Sequence, residues 1–224
     1  MSAGRHVLVV TVTAGTPDPE ALSPAARRLH AQWGLADGDV VALRREEDRA
    51  ACAELGADVI HWDELDAIYR RDPATGQPFY PTVGAVFGPP AAGDRGRVAA
   101  WAQRLRDLPA ARVVGPFGIG RHVDHVLLRQ AAGQVFGPRL ELYEDYPYAR
   151  SWWTRRKGLW RGGWPPWRGP AGWRSRPLRP EGPALAAKLR ALERYSSQLG
   201  SVFAGSADLR RQVGRFTERL WFRF

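Results

Sequence analysis

Short β-branched runs alternate with helical stretches over the first two thirds of the chain, and this alternation constrains the fold more than any other feature. Residues 6–13 read His-Val-Leu-Val-Val-Thr-Val-Thr and end at Ala-Gly-Thr-Pro, the pattern of a strand buried on both faces, as in a parallel sheet. Ser23-Pro24 then supplies an N-cap and a proline suited to the first helical position. Ala26, Leu29 and Trp33 follow at helical spacing, with Gly34 able to end the helix. Residues 40–43 read as a short strand or extended entry, 44–55 as a charged helix closed by Gly56, and 58–62 as the next strand. A Pro- and Gly-rich loop over 72–90 precedes a helix at 98–108, a strand at 112–115, a helix at 123–136 and a strand at 140–143. Strands alternating with helices imply an α/β fold with a mostly parallel sheet.

Beyond residue 150 the composition changes. Residues 151–183 hold six of the ten tryptophans, interleaved with Arg, Gly and Pro and without periodicity. We therefore expect an α/β domain over 1–150, a Trp/Arg/Gly/Pro-rich flap or insertion over 151–183, and a C-terminal helical part of the same domain over 184–224. Helical patterns are expected at 184–203 and 207–221. The net charge is +10, carried almost wholly by arginine, with Lys157 and Lys188 the two lysines. Arginine of this abundance raises nucleic acid or an anionic membrane as partners, but it also accompanies the Ala, Gly and Pro content of GC-rich coding. The sequence shows no nucleic-acid-binding motif, no apolar run long enough to span a bilayer and no secretory leader pattern. Cys52 is the lone cysteine, so neither an internal disulfide nor a cysteine-rich metal site is expected. A soluble cytoplasmic protein is the expectation; the oligomeric state is not legible.

One segment carries chemistry. Gly118-Ile-Gly-Arg-His122-Val-Asp124-His125 follows a strand and runs into a helix, and loops at the carboxyl ends of parallel strands are where α/β folds place ligands. His122 and His125, three residues apart, share a face of the first helical turn. Imidazole both ligates zinc and titrates near neutrality, and Asp124 can cap the helix or orient a ring. The same residues are also compatible with two polar histidines at a helix start, so the spacing alone leaves both readings open.

This segment resembles the second signature of the LmbE-like (PIG-L) zinc-dependent de-N-acetylases. Further stretches match in order. Thr11-Val-Thr-Ala-Gly-Thr-Pro is similar to the end of that family's second strand, and Arg44-Arg-Glu-Glu47 before Leu55-Gly56 to its Arg-x-x-Glu helix. Leu65-Asp66-Ala-Ile-Tyr69-Arg70 is similar to a loop with a substrate-contacting Asp. Residues 142–149 and Tyr195-Ser-Ser-Gln198 resemble late stretches of one subgroup. The resemblance implies a three-layer Rossmann-like fold and a zinc ion whose bound water attacks an acetamide carbonyl. It implies His125 as a metal ligand and His122 as the imidazole that stabilises the oxyanion or protonates the leaving amine. Asp124 would tune His122, while Asp66, Arg44 and Glu47 would bind substrate or support the site. The substrate implied is an N-acetylated sugar, glycoside or glycolipid.

The sequence departs from the family at its first signature, His-Pro-Asp-Asp-Glu, which supplies the remaining His and Asp ligands. Its nearest counterpart is Thr16-Pro17-Asp18-Pro19-Glu20. Either this is a decayed copy, or residues 5–17 correspond to the second strand and the signature belongs upstream; the second reading is preferred and implies that the N-terminal strand is missing. Without those ligands zinc itself can be absent from this chain. Three functions are thus expected in order: N-deacetylation, sugar or partner binding by an inactive relative, and nucleic-acid binding through the Arg/Trp segment.

Overall fold

The computed structural model describes residues 5–35, 38–150 and 172–223. Its chain divides into two compact units, each drawn from two stretches: 1–71 with 180–216, and 72–179 with 217–224. No helix among the described residues is long and apolar enough to cross a membrane.

In the first unit, β1 (Leu8–Thr11) pairs in parallel with β2 (Asp58–His61), Leu8 against Asp58 and Thr11 against His61. Helix α1 (Pro24–Gln32) starts as its sequence implies: the Ser23 hydroxyl accepts from the Ala26 N–H at 3.1 Å, with Pro24 at the first position. Helix α2 runs Val40–Leu55 and ends at Gly56 in the left-handed conformation, φ 64°, a position where glycine is not strained. The strand or extended entry expected at 40–43 is instead the first turn of α2. Val40 and Val41 are 1 % and 8 % exposed, and burying two such side chains outweighs the few tenths of a kcal/mol by which valine disfavours a helix. The helix expected over 184–203 is two, α5 (Gly182–Glu193) and α6 (Ser196–Val202), followed by α7 (Ser206–Arg215). Tyr195, with φ −83° and ψ 54°, breaks the run between α5 and α6.

In the second unit, α3 (Arg97–Arg106) packs on α4 (Val123–Phe136), and Trp101 of α3 and Leu127 of α4 are both fully buried. Each such side chain contributes roughly 1.5–3 kcal/mol. The sheet has the order β3-β4-β6-β5, with β3 at Val113–Pro116, β4 at Leu140–Tyr143, β5 at Trp173–Leu178 and β6 at Glu218–Arg223. The β3/β4 pair is parallel, as the alternation implies, whereas β6 runs antiparallel to both β4 and β5. These last two strands correct the sequence reading. Helix α7 stops at Arg215 rather than continuing to 221, because Trp221 is held in the sheet: its indole N–H donates to Glu144 at 2.9 Å and its ring lies 5.5 Å from Phe117. Residues 173–178, expected in the flap, form β5, and Gly182, also expected there, begins α5. The flap expectation otherwise falls on 151–171, outside the described residues.

Candidate active site

Strand β3 delivers the chain into Phe117-Gly-Ile-Gly-Arg-His122, and α4 begins at Val123. The turn requires unusual backbone: Gly118 has φ 80° and Arg121 φ 59°. Gly120 meets the Tyr148 ring so closely that a Cβ there would lie 2.3 Å from it. The turn is pinned by Asp145, which stands just past the end of β4, the parallel neighbour of β3. One Asp145 oxygen accepts the backbone N–H groups of Gly118 at 2.6 Å and Ile119 at 2.8 Å. Its other oxygen lies 2.5 Å from His125 Nδ1. Asp145 is 1 % exposed, while the His125 side chain is 35 % exposed. A buried carboxylate thus fixes one ring nitrogen of a half-exposed imidazole, leaving Nε2 as the nitrogen through which it would act. That is the arrangement of metal-ligating histidines and of acid–base histidines alike.

His122 stands beside it, the two rings 5.4 Å apart, with Phe87 edge-on to His122 at 5.4 Å. Asp124, in the first turn of α4 and buried, approaches His122 Nδ1 to 3.9 Å. That is too long for a hydrogen bond. Behind the turn, Arg129 donates to the Phe117 carbonyl at 3.2 Å; burial lowers its pKa, and the Asp145 charge partly restores it.

The first unit holds Arg44, Glu47 and Asp66. Arg44 and Asp66 line a cavity of about 210 Å³ together with Thr11, Thr13, Asp48 and His61. Arg44 stacks on Trp33, 3.8 Å from the ring centre. Asp66 caps a short 3₁₀ turn by accepting the Ile68 N–H at 3.1 Å. Glu47 is not part of the cavity lining. It is 5 % exposed and accepts from the Ser196 hydroxyl, the Ser197 N–H and the Ser197 hydroxyl at 2.7–2.9 Å, which ties α2 to α6. Asp48, one residue on, is the hub of the cavity wall: Thr11 Oγ1, His61 Nε2 and the Tyr195 hydroxyl lie 2.7, 2.8 and 2.5 Å from its carboxylate oxygens.

His122, Asp124 and His125 therefore stand together at the mouth of β3, as their spacing implies. Asp145 and Asp48 escaped the sequence reading. Asp145 could have been found from its position at the carboxyl end of the strand following α4, where a parallel neighbour must bring it next to the glycine turn. Asp48 had no such signal. The other histidines are committed elsewhere: His6 to Asp58, exposed, at 2.5 Å, and His30, buried, to Tyr69 at 2.7 Å. In Thr16-Pro-Asp-Pro-Glu20, the Asp18 carboxylate caps an exposed 3₁₀ turn through the Glu20 N–H, a local turn role.

The His125 imidazole itself fits a metal ligand, oriented as it is by buried Asp145. A catalytic zinc takes three protein ligands; the described donors of the same unit near His125 are His122, Asp124 and Asp145, and Asp145 is already committed to the His125 ring and to the turn.

No family model and no curated protein matches the sequence. Solved structures do. Teicoplanin deacetylase Orf2 in its zinc-inhibited form is 30 % identical with a TM-score of 0.78, over 97 % of this chain and 87 % of its own. A deacetylase–teicoplanin complex is 31 % identical with a TM-score of 0.74, over 98 % and 87 %. The A40926 pseudoaglycone deacetylase Dbv21 is 27 % identical with a TM-score of 0.71, over 99 % and 86 %. At this identity and coverage, with an α/β fold and a histidine pair at the strand end, the chain belongs to the family of these deacetylases, on the LmbE-like fold.

Proposed function

We propose that this chain is an amide hydrolase that removes the N-acetyl group from a sugar, with sugars borne on a larger glycoside as its first candidate substrates. The observation that carries the reading is the His125–Asp145 pair at the carboxyl end of β3, beside His122. The deacetylases on teicoplanin and the A40926 pseudoaglycone support it.

His125 would hold a divalent cation, zinc by the family resemblance, through Nε2. A bound cation there supplies an acidified water and a positive charge for the carbonyl oxygen. The protein's own groups do the rest. Asp145 fixes the His125 ring and its tautomer. His122, held edge-on by Phe87, donates a proton to the departing amine or a hydrogen bond to the oxyanion, and Asp124 orients it. Arg44 and Asp66 are proposed to contact the sugar, with Glu47 holding α2 in place behind Arg44.

The test is metal content by mass spectrometry together with acetate release from N-acetylglucosaminyl glycopeptides. The reading expects bound zinc and turnover, both lost in His125→Ala. It applies equally to any longer in-frame product that carries a His-Pro-Asp-Asp-Glu segment. A metal-free, inactive protein in both forms would overturn it.

A second reading, a sugar-binding relative without catalysis, is favoured by one specific observation. Asp18, in the nearest counterpart of the first signature, caps a turn. Sugar binding that persists without metal and without acetate release would select it.

A further inference from the structure

Two turns of the second unit grip each other beside His122. In residues 145–149 the Ala149 N–H donates to the Asp145 carbonyl at 2.9 Å, closing a turn on which Asp145 and Tyr148, three residues apart, face the same neighbour. Asp145 takes the first half of the glycine turn through Gly118 and Ile119. Tyr148 takes the second half. A Cβ on Gly120 would lie 2.3, 2.3 and 2.8 Å from three carbons of the Tyr148 ring, Cγ among them. Cγ is the root of the ring, so no rotation about the ring axis clears it. Gly120 is not among the glycines with positive φ, so it is the ring, not the backbone, that requires glycine there. Phe87, at the end of a 3₁₀ turn capped by Thr82, links this contact to the histidine. Its ring stands 5.6 Å from Tyr148 at 65° and 5.4 Å from His122 at 79°, both near the edge-to-face geometry that aromatic rings prefer. His125 has the Asp145 carboxylate to hold it; His122 has one ring seated under its turn and another against its imidazole.

We propose that Tyr148 and Phe87 are positioning residues for His122, Tyr148 seating the turn at Gly120 and Phe87 fixing the angle of the imidazole. Both act through His122 rather than on the reacting atoms. The placement of the ring rests on this geometry alone, and its consequence for turnover rests on the proposed deacetylase reading.

The experiment is carbon–proton magnetic resonance of the full chain labelled in histidine, at one pH, without substrate or metal. His122→Gln identifies the His122 signal by its loss. In Tyr148→Ala and Gly120→Ala the Phe87 ring remains, so the His122 signal shifts as the imidazole moves against it. Tyr148→Phe keeps the ring and the parent signal. Gly120→Ala adds nothing once Tyr148→Ala has removed the obstacle. Phe87→Leu removes the neighbouring ring current itself, so there the readout is motion: the His122 ring falls from a rigid order parameter, about 0.85, toward the flexible range below about 0.6. The His125 ring, held by Asp145, keeps its order in every variant. Where acetate release is measured, Phe87→Leu lowers kcat about 10–100-fold, the effect of a catalytic group misplaced by about 1 Å, with KM and zinc content unchanged. A protein that releases no acetate leaves the resonance result standing, so failure of the deacetylase reading and failure of this proposal are told apart. If Tyr148→Ala does not fold by circular dichroism, Phe87→Leu and Gly120→Ala decide the matter. An unmoved His122 signal in Gly120→Ala, an unchanged order parameter in Phe87→Leu, the same effect of Gly120→Ala with and without the Tyr148 ring, or equal loss of order at His125 overturns the proposal.

Discussion

Asp145 does more at this site than either histidine can do alone, because it joins a turn and a ring through one buried carboxylate. Replacing it with asparagine substitutes an N–H₂ group for one acceptor, so either His125 or the Gly118–Ile119 turn loses its partner. Changes of this kind behind a metal-binding histidine lower activity or metal affinity about 10–100-fold. That is the expected effect of Asp145→Asn on acetate release and on zinc retention, with the fold preserved by circular dichroism. Tyr195 offers a second test at this scale. Burial, then the adjacent Asp48 carboxylate, raises its pKa above the ordinary phenol value. Because the folded value is raised, its stabilisation is complete below the unfolded pKa of about 10 and is lost as pH rises through the folded one. Tyr195→Phe should therefore lower stability near neutrality by about 1 kcal/mol yet flatten the decline above pH 10, read by urea unfolding at both pH values. The trio that local spacing singles out lies within a turn of helix. His122, Asp124 and His125 sit within four positions, whereas Asp145 meets His125 from 20 residues away and Tyr195 meets Asp48 from 147 away. No local pattern reports such pairings.

The elements that could be read in advance were those whose ends are set locally. The Ser23-Pro24 cap starts α1, Gly56 ends α2, and α4 and β4 occupy the residues their periodicity implies. Those misread owe their state to distant partners: 40–43 is helical because its valines are buried, and 218–223 is a strand because β4 and β5 flank it. Gly15 shows the same division. As part of Ala-Gly-Thr-Pro it announces that a strand ends, but its necessity comes from elsewhere: a Cβ there would lie 2.2 Å from the Asp63 carbonyl oxygen and 2.8 Å from the Glu64 carbonyl carbon. Its own N–H donates to the Glu64 carbonyl at 2.8 Å. Both obstacles are backbone, so the clash cannot be relieved by a rotamer. Gly15→Ala should destabilise the protein by about 2–4 kcal/mol, seen as a lower urea midpoint. Gly34→Ala loses a residue with φ 69° but meets no atom within 4 Å and should cost only about 1–2 kcal/mol.

Each unit is closed by a return of the chain, and the closures differ in kind. In the second unit β6 comes back to bond between β4 and β5. In the first, α5 and α6 return to α2, and two carboxylates of α2 receive them. Glu54 pairs with Arg190 at 3.0 Å and with Arg194 at the surface, where water and salt compete and such pairs contribute little. Glu47 is buried and accepts three hydrogen bonds at the start of α6. The closure should therefore depend on Glu47 and hardly on Glu54, although Glu54 holds the two arginines. Glu47→Ala is expected to lower unfolding stability by about 2–4 kcal/mol, since it removes the buried carboxylate that accepts all three hydrogen bonds from Ser196 and Ser197. Glu54→Ala should leave the urea midpoint close to that of the parent, and any difference should vanish at 1 M salt. Hydrogen exchange localises the effect: in Glu47→Ala the amides of α6 exchange faster while those of α4 keep their protection. Equal losses in the two variants would mean that the surface arginine pairs, not the buried carboxylate, hold the returning chain.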